Sequence, residues 1–208
     1  FPYTTLFRSN RGGGSCYDLE QIRTIRKVCD GHGLALHLDG ARLFNAIVAR
    51  NEDPKEYGRM FHSISICLSK SLGAPVGSVL LGTKPFIHRA RRFRKVFGGG
   101  MRQAGYLAAA GIFALDHNIP RLSEDHRHAK MIESALAEKT FIDTILPVET
   151  NIVIASFRPP YTPQQFIEAM KKEDILLFSI SPTQVRMVLH LDIKPEMVSK
   201  TITVIKKL

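Results

Sequence analysis

Two short segments carry side chains whose types and spacing could do chemistry together. In HLDGARLFNA, His37 to Ala46, a carboxylate (Asp39) and a guanidinium (Arg42) stand three residues apart, where an apolar run gives way to a helical pattern. Both can face one cleft, although such an aspartate taken alone is more often a helix cap with the arginine as its ion-pair partner. In SICLSKSLGAPVGS, Ser65 to Ser78, a single lysine, Lys70, follows a buried-strand pattern and precedes a run of small residues and a proline. Small neighbours leave room for a ligand beside the amine. A lysine next to an apolar cleft and other cations loses its proton more easily, and the neutral amine condenses with an aldehyde to a Schiff base. A lone lysine at a strand end is more often an ordinary surface residue.

The elements that would position these groups follow from periodicity. Leu19, Ile22, Ile25, Val28 and Cys29 recur every three or four residues, which predicts an amphipathic helix over Tyr17 to Cys29 that stops at Gly31-His32-Gly33. Leu34 to Leu38 then reads as a buried strand delivering Asp39, Ala41 to Arg50 as a helix, and Ser63 to Leu68 as a second buried strand delivering Ser69 and Lys70. Val79 to Leu81 adds a third strand. A helix through the basic segment follows, then a break at Gly98-Gly99-Gly100 and an Ala-rich helix from Met101 toward Leu115. Strands alternating with helices predict an α/β architecture, in which ligands sit at strand C-terminal ends.

Around Asn118 to Pro120 the pattern changes. A polar helix is expected over Leu122 to Lys139 and another over Pro163 to Lys172, with strands at Asn151 to Phe157, Leu176 to Ser179 and Val185 to Leu189. Residues 119–208 are therefore read as a small C-terminal α/β domain and 10–118 as part of a larger one. Phe1 to Ser9, FPYTTLFRS, resembles a translated DNA sequencing adapter; it is set aside, with the expectation that the chain is a C-terminal fragment whose sheet edges lack some neighbours.

Several function classes are disfavoured. Apolar residues make up 44% of the chain, yet no apolar stretch approaches the roughly 20 residues of a membrane span. No basic segment followed by an apolar one marks a secretory signal. Cys16, Cys29 and Cys67 are odd in number and form no CxxC pair, which fits neither a disulfide framework nor a zinc cage and predicts a reducing, cytoplasmic setting. His126 and His128 fall in a helical pattern read as exposed, where their spacing puts them on different faces, and His37 reads as a satisfied strand residue, so no metal site is expected. The net charge of +10 is densest at HRARRFRK, His88 to Lys95. That segment lacks the interleaved aromatics of a stacking platform, so a solvated helix face or an anion-binding subunit contact is favoured over a nucleic-acid-binding module, which stays as the non-enzymatic alternative.

The two opening segments, together with RKVFGGGMRQAG at Arg94 to Gly105 and VRMVLHLD at Val185 to Asp192, resemble the threonine aldolase family in order and wording. The likeness runs from Asn10 through His190 to Ile193. It implies the large domain of pyridoxal-phosphate fold type I, a mostly parallel sheet with helices, plus a small C-terminal α/β domain. It implies pyridoxal 5'-phosphate as cofactor, with Lys70 as its covalent anchor, Asp39 on the pyridine nitrogen, Arg42 beside ring and substrate, and Arg102 on the phosphate across a subunit interface. Arg186 would clamp the substrate carboxylate, since a guanidinium fork suits that group. The implied reaction is cleavage of L-threonine or L-allo-threonine to glycine and acetaldehyde by a homo-oligomer, a dimer of dimers, with no nucleic-acid or membrane partner. Another pyridoxal-phosphate β-eliminating lyase or an aminotransferase would share the same Asp, Lys and Arg logic. Ser71 stands where the family has glycine and Leu189 where it has threonine.

Overall fold

In the computed structural model Tyr3–Leu6 and residues 12–208 are described. The remaining residues of the Phe1 to Ser9 segment, and Asn10, where the family likeness starts, lie outside the described residues. The chain forms two compact units. One runs over Tyr17–Pro120 and takes in Tyr3–Leu6; the other runs over Arg121–Leu208 and takes in residues 12–16.

The first unit opens with strand β1 (Tyr3–Leu6) and helix α1 (Leu19–Gly31). Asp18 starts α1 through a capping box: its carboxylate accepts from the Gln21 amide at 2.7 Å, while the Gln21 side chain accepts from the Asp18 amide. Strand β2 (Ala35–Gly40) leads to helices α2 (Leu43–Arg50) and α3 (Pro54–Met60), then strand β3 (Ser63–Cys67). Strand β4 (Ser78–Gly82) and helices α4 (Lys84–Val96) and α5 (Gly105–His117) complete the unit. The sheet order is β1-β2-β3-β4, with β1, β2 and β3 parallel and β4 antiparallel to β3. The reversal has a simple cause. Residues 68–77 join β3 to β4 without a helix, too short a path for the crossover a parallel pair requires. Leu36, Ile64 and Ile66 are buried along β2 and β3, whereas all five residues of β4 are exposed.

The second unit contains helix α6 (Leu122–Ala137), strands β5 (Ile142–Ile145) and β6 (Ile152–Phe157), helix α7 (Pro163–Lys171), strands β7 (Phe178–Ser181) and β8 (Gln184–Val188), and helix α8 (Pro195–Lys207). Its sheet is antiparallel throughout, in the order β5-β6-β8-β7. Val153, Ala155 and Phe157 of β6 and Val185 and Met187 of β8 alternate onto one face, where Leu136, Phe166, Met170 and Ile205 close the core.

Residues 12–16 differ from the expected division, which placed them in the larger domain. The Thr150 hydroxyl donates to the Gly14 carbonyl at 2.9 Å and the Cys16 amide to the Glu149 carboxylate at 3.1 Å, which fastens the segment to the second unit. The exposed setting expected for His126 and His128 is also corrected. His128 is 2% exposed, and burial pushes the His126 imidazole down to about 4. The cause is that Leu122, Asp125, His128, Ala129, Ile132 and Leu136 form one buried stripe of α6, so two polar residues interrupt an otherwise apolar pattern. Buried Asp125 accepts from Arg121 at 2.7 and 3.3 Å, and burial raises its carboxyl above the ordinary value even against the neighbouring positive charges.

Candidate active site

Asp39 and Lys70 come to the same end of the first unit's sheet. Asp39 is the penultimate residue of β2 and is half-buried; Lys70 lies three residues past the end of β3, the parallel neighbour of β2, and is exposed. The register sets Asp39 opposite Ser65 and Gly40 opposite Ile66. Gly40 is required there, since a Cβ would meet the Ser65 carbonyl oxygen at 2.7 Å. Helix α2 is capped at Arg42, not at Asp39, and without a side-chain cap bond. Asp39 is thus a strand residue whose carboxylate is available at the sheet end, which sets aside the helix-cap reading. Arg42, half-buried, occupies the turn between β2 and α2, because that helix starts at Leu43, two residues later than the expected Ala41.

Lys70 sits on a closed turn. The Leu68 amide donates to the Gly77 carbonyl at 3.0 Å and the Ala74 amide to the Leu68 carbonyl at 3.0 Å. Within this frame the Gly73 amide donates to the Lys70 carbonyl at 2.8 Å. Gly73 and Gly77 have φ of 75° and 120°, left-handed values that glycine adopts without steric cost. The turn therefore holds the lysine backbone by its own hydrogen bonds while the side chain projects. Ser71, at the departure from the family pattern, is 5% exposed and points into the unit. Next to the lysine, the Cys67 sulfur lies 3.4 Å from the Ser69 hydroxyl. Burial pushes the Cys67 thiol up, but hydrogen bonds with Ser69 and Ser78 and the positive charge of Lys70 leave it below its ordinary value.

Arg102 occupies an exposed bend between α4 and α5, since α5 begins at Gly105 and not at Met101 as expected. The bend is made possible by Gly98, at φ 81°, and by Gln103, at φ 49°. The basic segment forms α4, a helix without a buried residue. Phe93, Val96, Phe97 and Tyr106 are each 60% exposed or more around this connection. Between Glu56 and Asp116 the chain carries nine Lys and Arg and no acidic residue, so this part of the first unit presents a positive field suited to an anionic ligand. Arg186 belongs to the second unit. It lies on β8 with Ile154 of β6 on one side and Phe178 of β7 on the other in the strand register. Leu189, the other departure, is 3% exposed and packs in the core, so its apolar side chain answers to packing there.

Two residues with a bearing on this site had no signal in the sequence. Asn118, read as a boundary residue, donates its side-chain amide to the Leu72 carbonyl at 2.7 Å. Gly111 of α5 lets Leu68 approach so closely that a Cβ there would stand 3.0 Å from Leu68 Cδ1.

The donor set fits pyridoxal phosphate: a primary amine for the aldehyde carbon, a carboxylate for a protonated ring nitrogen and a guanidinium for phosphate. Among the described residues no group of three or more His, Cys, Asp or Glu could hold a metal ion, the three cysteines are free thiols, and no helix is long and apolar enough to cross a membrane.

The low specificity L-threonine aldolase of Escherichia coli K12 is 40% identical over 195 residues, covering 94% of this chain and 57% of the relative. Low-specificity L-threonine aldolase 1 of Arabidopsis thaliana is 38% identical over 181 residues, 86% of this chain and 51% of the relative. The chain spans about half the length of such curated relatives. In fold, it superposes on the Leishmania major threonine aldolase with a TM-score of 0.83 at 20% identity, over 99% of this chain and 60% of that one. The model of the beta-eliminating lyase family matches residues 6–159, a stretch that holds the strand-end aspartate and lysine and the start of the second unit, and the chain belongs to that family.

Proposed function

We propose that the protein to which this chain belongs is a pyridoxal-phosphate-dependent aldehyde-lyase that cleaves L-threonine or L-allo-threonine to glycine and acetaldehyde. The observation that carries the reading is the placement of Asp39 and Lys70 at the C-terminal ends of two adjacent parallel strands, where α/β sheets gather ligands. The names of the relatives at 38 to 40% identity supply the reaction.

In this reading Lys70 holds the cofactor through Nζ, Asp39 faces the ring nitrogen, Arg42 lies beside the ring and the substrate, and Arg102 meets the phosphate. When bound, the cofactor supplies an electron sink for the pair released as the substrate Cα–Cβ bond breaks. The Asp39 carboxylate keeps a proton on the atom it faces, because its charge favours the protonated form. The closed turn would keep the Lys70 amine within reach of the cofactor, which it would anchor through Nζ. Arg186 grips the substrate carboxylate through its two-pronged guanidinium. The β-hydroxyl gives up its proton as the β-carbon and its oxygen leave as acetaldehyde, and the α-carbon takes up one proton to become glycine, so the atoms of threonine are accounted for.

The phosphate contact of Arg102 is proposed to come from a neighbouring subunit of a dimer of dimers. The exposed Phe93, Val96, Phe97 and Tyr106 support a contact that covers them. A cytoplasmic enzyme of threonine breakdown and glycine supply agrees with three free thiols.

The test is product analysis of the full-length protein and its Lys70→Ala variant with L-threonine. Glycine and acetaldehyde in equal amounts, abolished by the substitution, are expected; glycine release that survives it overturns the reading. A keto acid with ammonia assigns the protein to β-elimination instead.

A further inference from the structure

We propose that Asn118 is a positioning residue for Lys70, acting through the turn that carries it; the role rests on Lys70 being the cofactor lysine. Asn118 is the residue after α5, and its backbone amide still donates to the Ala114 carbonyl at 3.0 Å, so the helix fixes where its side chain starts. From there the side-chain amide donates to the carbonyl of Leu72, 46 residues away in sequence, at 2.7 Å. Leu72 is two residues past Lys70 and is 4% exposed. Its carbonyl gains a short bond from a rigid element in place of a bond to water.

The turn needs such an anchor. Its own hydrogen bonds, Leu68 to Gly77, Ala74 to Leu68 and Gly73 to Lys70, close it but do not fix it against the rest of the unit. Two attachments to α5 contribute to that. Leu68 fits against Gly111 at one end of the turn, and Asn118 holds Leu72 beyond Lys70 at the other. Lys70 therefore lies between two points tied to one helix, and the path of its backbone follows that helix. An aspartate at 118 would set a carboxylate against the Leu72 carbonyl, and an alanine would leave that buried carbonyl without its donor, so the amide is the group that serves.

The experiment has two arms on the full-length protein, with Asn118→Ala and Asn118→Asp variants each checked for folding by circular dichroism. The first reads amide hydrogen exchange by mass spectrometry over residues 68–77, with α1 as internal reference. On the order of tenfold faster exchange in the turn alone is expected for both variants, as for loss of one hydrogen bond. Unchanged turn exchange, or acceleration shared equally by α1, overturns the inference. The second arm adds pyridoxal phosphate, reduces with borohydride and maps the adducts. The concentration giving half-maximal adduct at Lys70 is expected to rise about tenfold in the variants while that at Lys84 stays constant. No change at Lys70 overturns a positioning role. Should the unaltered chain show no preference for Lys70 over Lys84, the cofactor assignment of Lys70 falls, whereas the exchange arm still decides whether Asn118 holds the turn. Gly111→Ala, which presses on Leu68 without touching the Leu72 bond, is expected to accelerate exchange in the same turn.

Discussion

Asp39 pairs with Ser65 across the parallel ladder of β2 and β3, and Lys70 follows five residues further along the same course of chain. The carboxylate and the amine are thus referred to one hydrogen-bonded ladder. Anything that spreads the end of that ladder should separate them.

Gly40→Ala tests this directly. The added Cβ would lie 2.7 Å from the Ser65 carbonyl oxygen, a backbone atom that cannot swing aside. A loss of about 1–3 kcal/mol is expected from overpacking, measured by urea denaturation. Pyridoxal phosphate capture at Lys70 should weaken with it. Equal stability and capture in the variant would show that the strands have room there.

Asp39→Asn keeps the shape and removes the charge. In the full-length protein a fall in glycine formation on the order of 10²-fold is expected, as when a preorganised charge is removed from a site, with the thermal midpoint almost unmoved because Asp39 is half-buried at a sheet end. Retained turnover would remove Asp39 from the site.

How far the site could be read from sequence depends on the distance over which each part is built. β2 and β3 were legible because Leu34, Leu36 and Leu38, and likewise Ile64, Ile66 and Leu68, recur at every second residue, and the strand ends then located Asp39 and Lys70. Helix α1 was legible from its period and stop. Strand β5 was not: Ile142–Ile145 is four residues with two exposed polar members, held by pairing with β6. Helices α3 and α8 went unread although each starts with a proline, at Pro54 and Pro195, in a position that favours helix starts. The Asn118 bond was beyond reach, because nothing in a boundary-like Asn-Ile-Pro announces a partner 46 residues earlier.

Acid should weaken the second unit through His126. Burial holds its imidazole at about 4, below the 6.5 of an unperturbed histidine. Between those values the unfolded chain binds the extra proton, so stability is complete above about pH 6.5 and declines as pH falls toward 4. His126→Phe is expected to flatten that decline in thermal unfolding measured at pH 7 and pH 5. An identical slope in the variant would place the acid sensitivity elsewhere.

Asn151→Ala should loosen the join between β6 and β8. The Asn151 side chain donates to the Leu189 carbonyl at 2.6 Å, and the Leu189 amide returns a bond to the Asn151 carbonyl at 2.9 Å. Removing the buried side-chain donor is expected to lower stability by about 1–3 kcal/mol, read by chemical denaturation. A change of no more than about 0.3 kcal/mol would mean that the backbone bond suffices.

The connection from β3 to β4 also bears on how the unit is assembled. It spans only residues 68–77, and the entropy of closing a loop grows with its length. Joining β2 to β3, by contrast, requires two intervening helices to find their places. The β3 and β4 pairing is the low-contact-order part of this sheet, so the loop bearing Lys70 is expected to close early in folding, before the chain has brought the strand carrying Asp39 alongside.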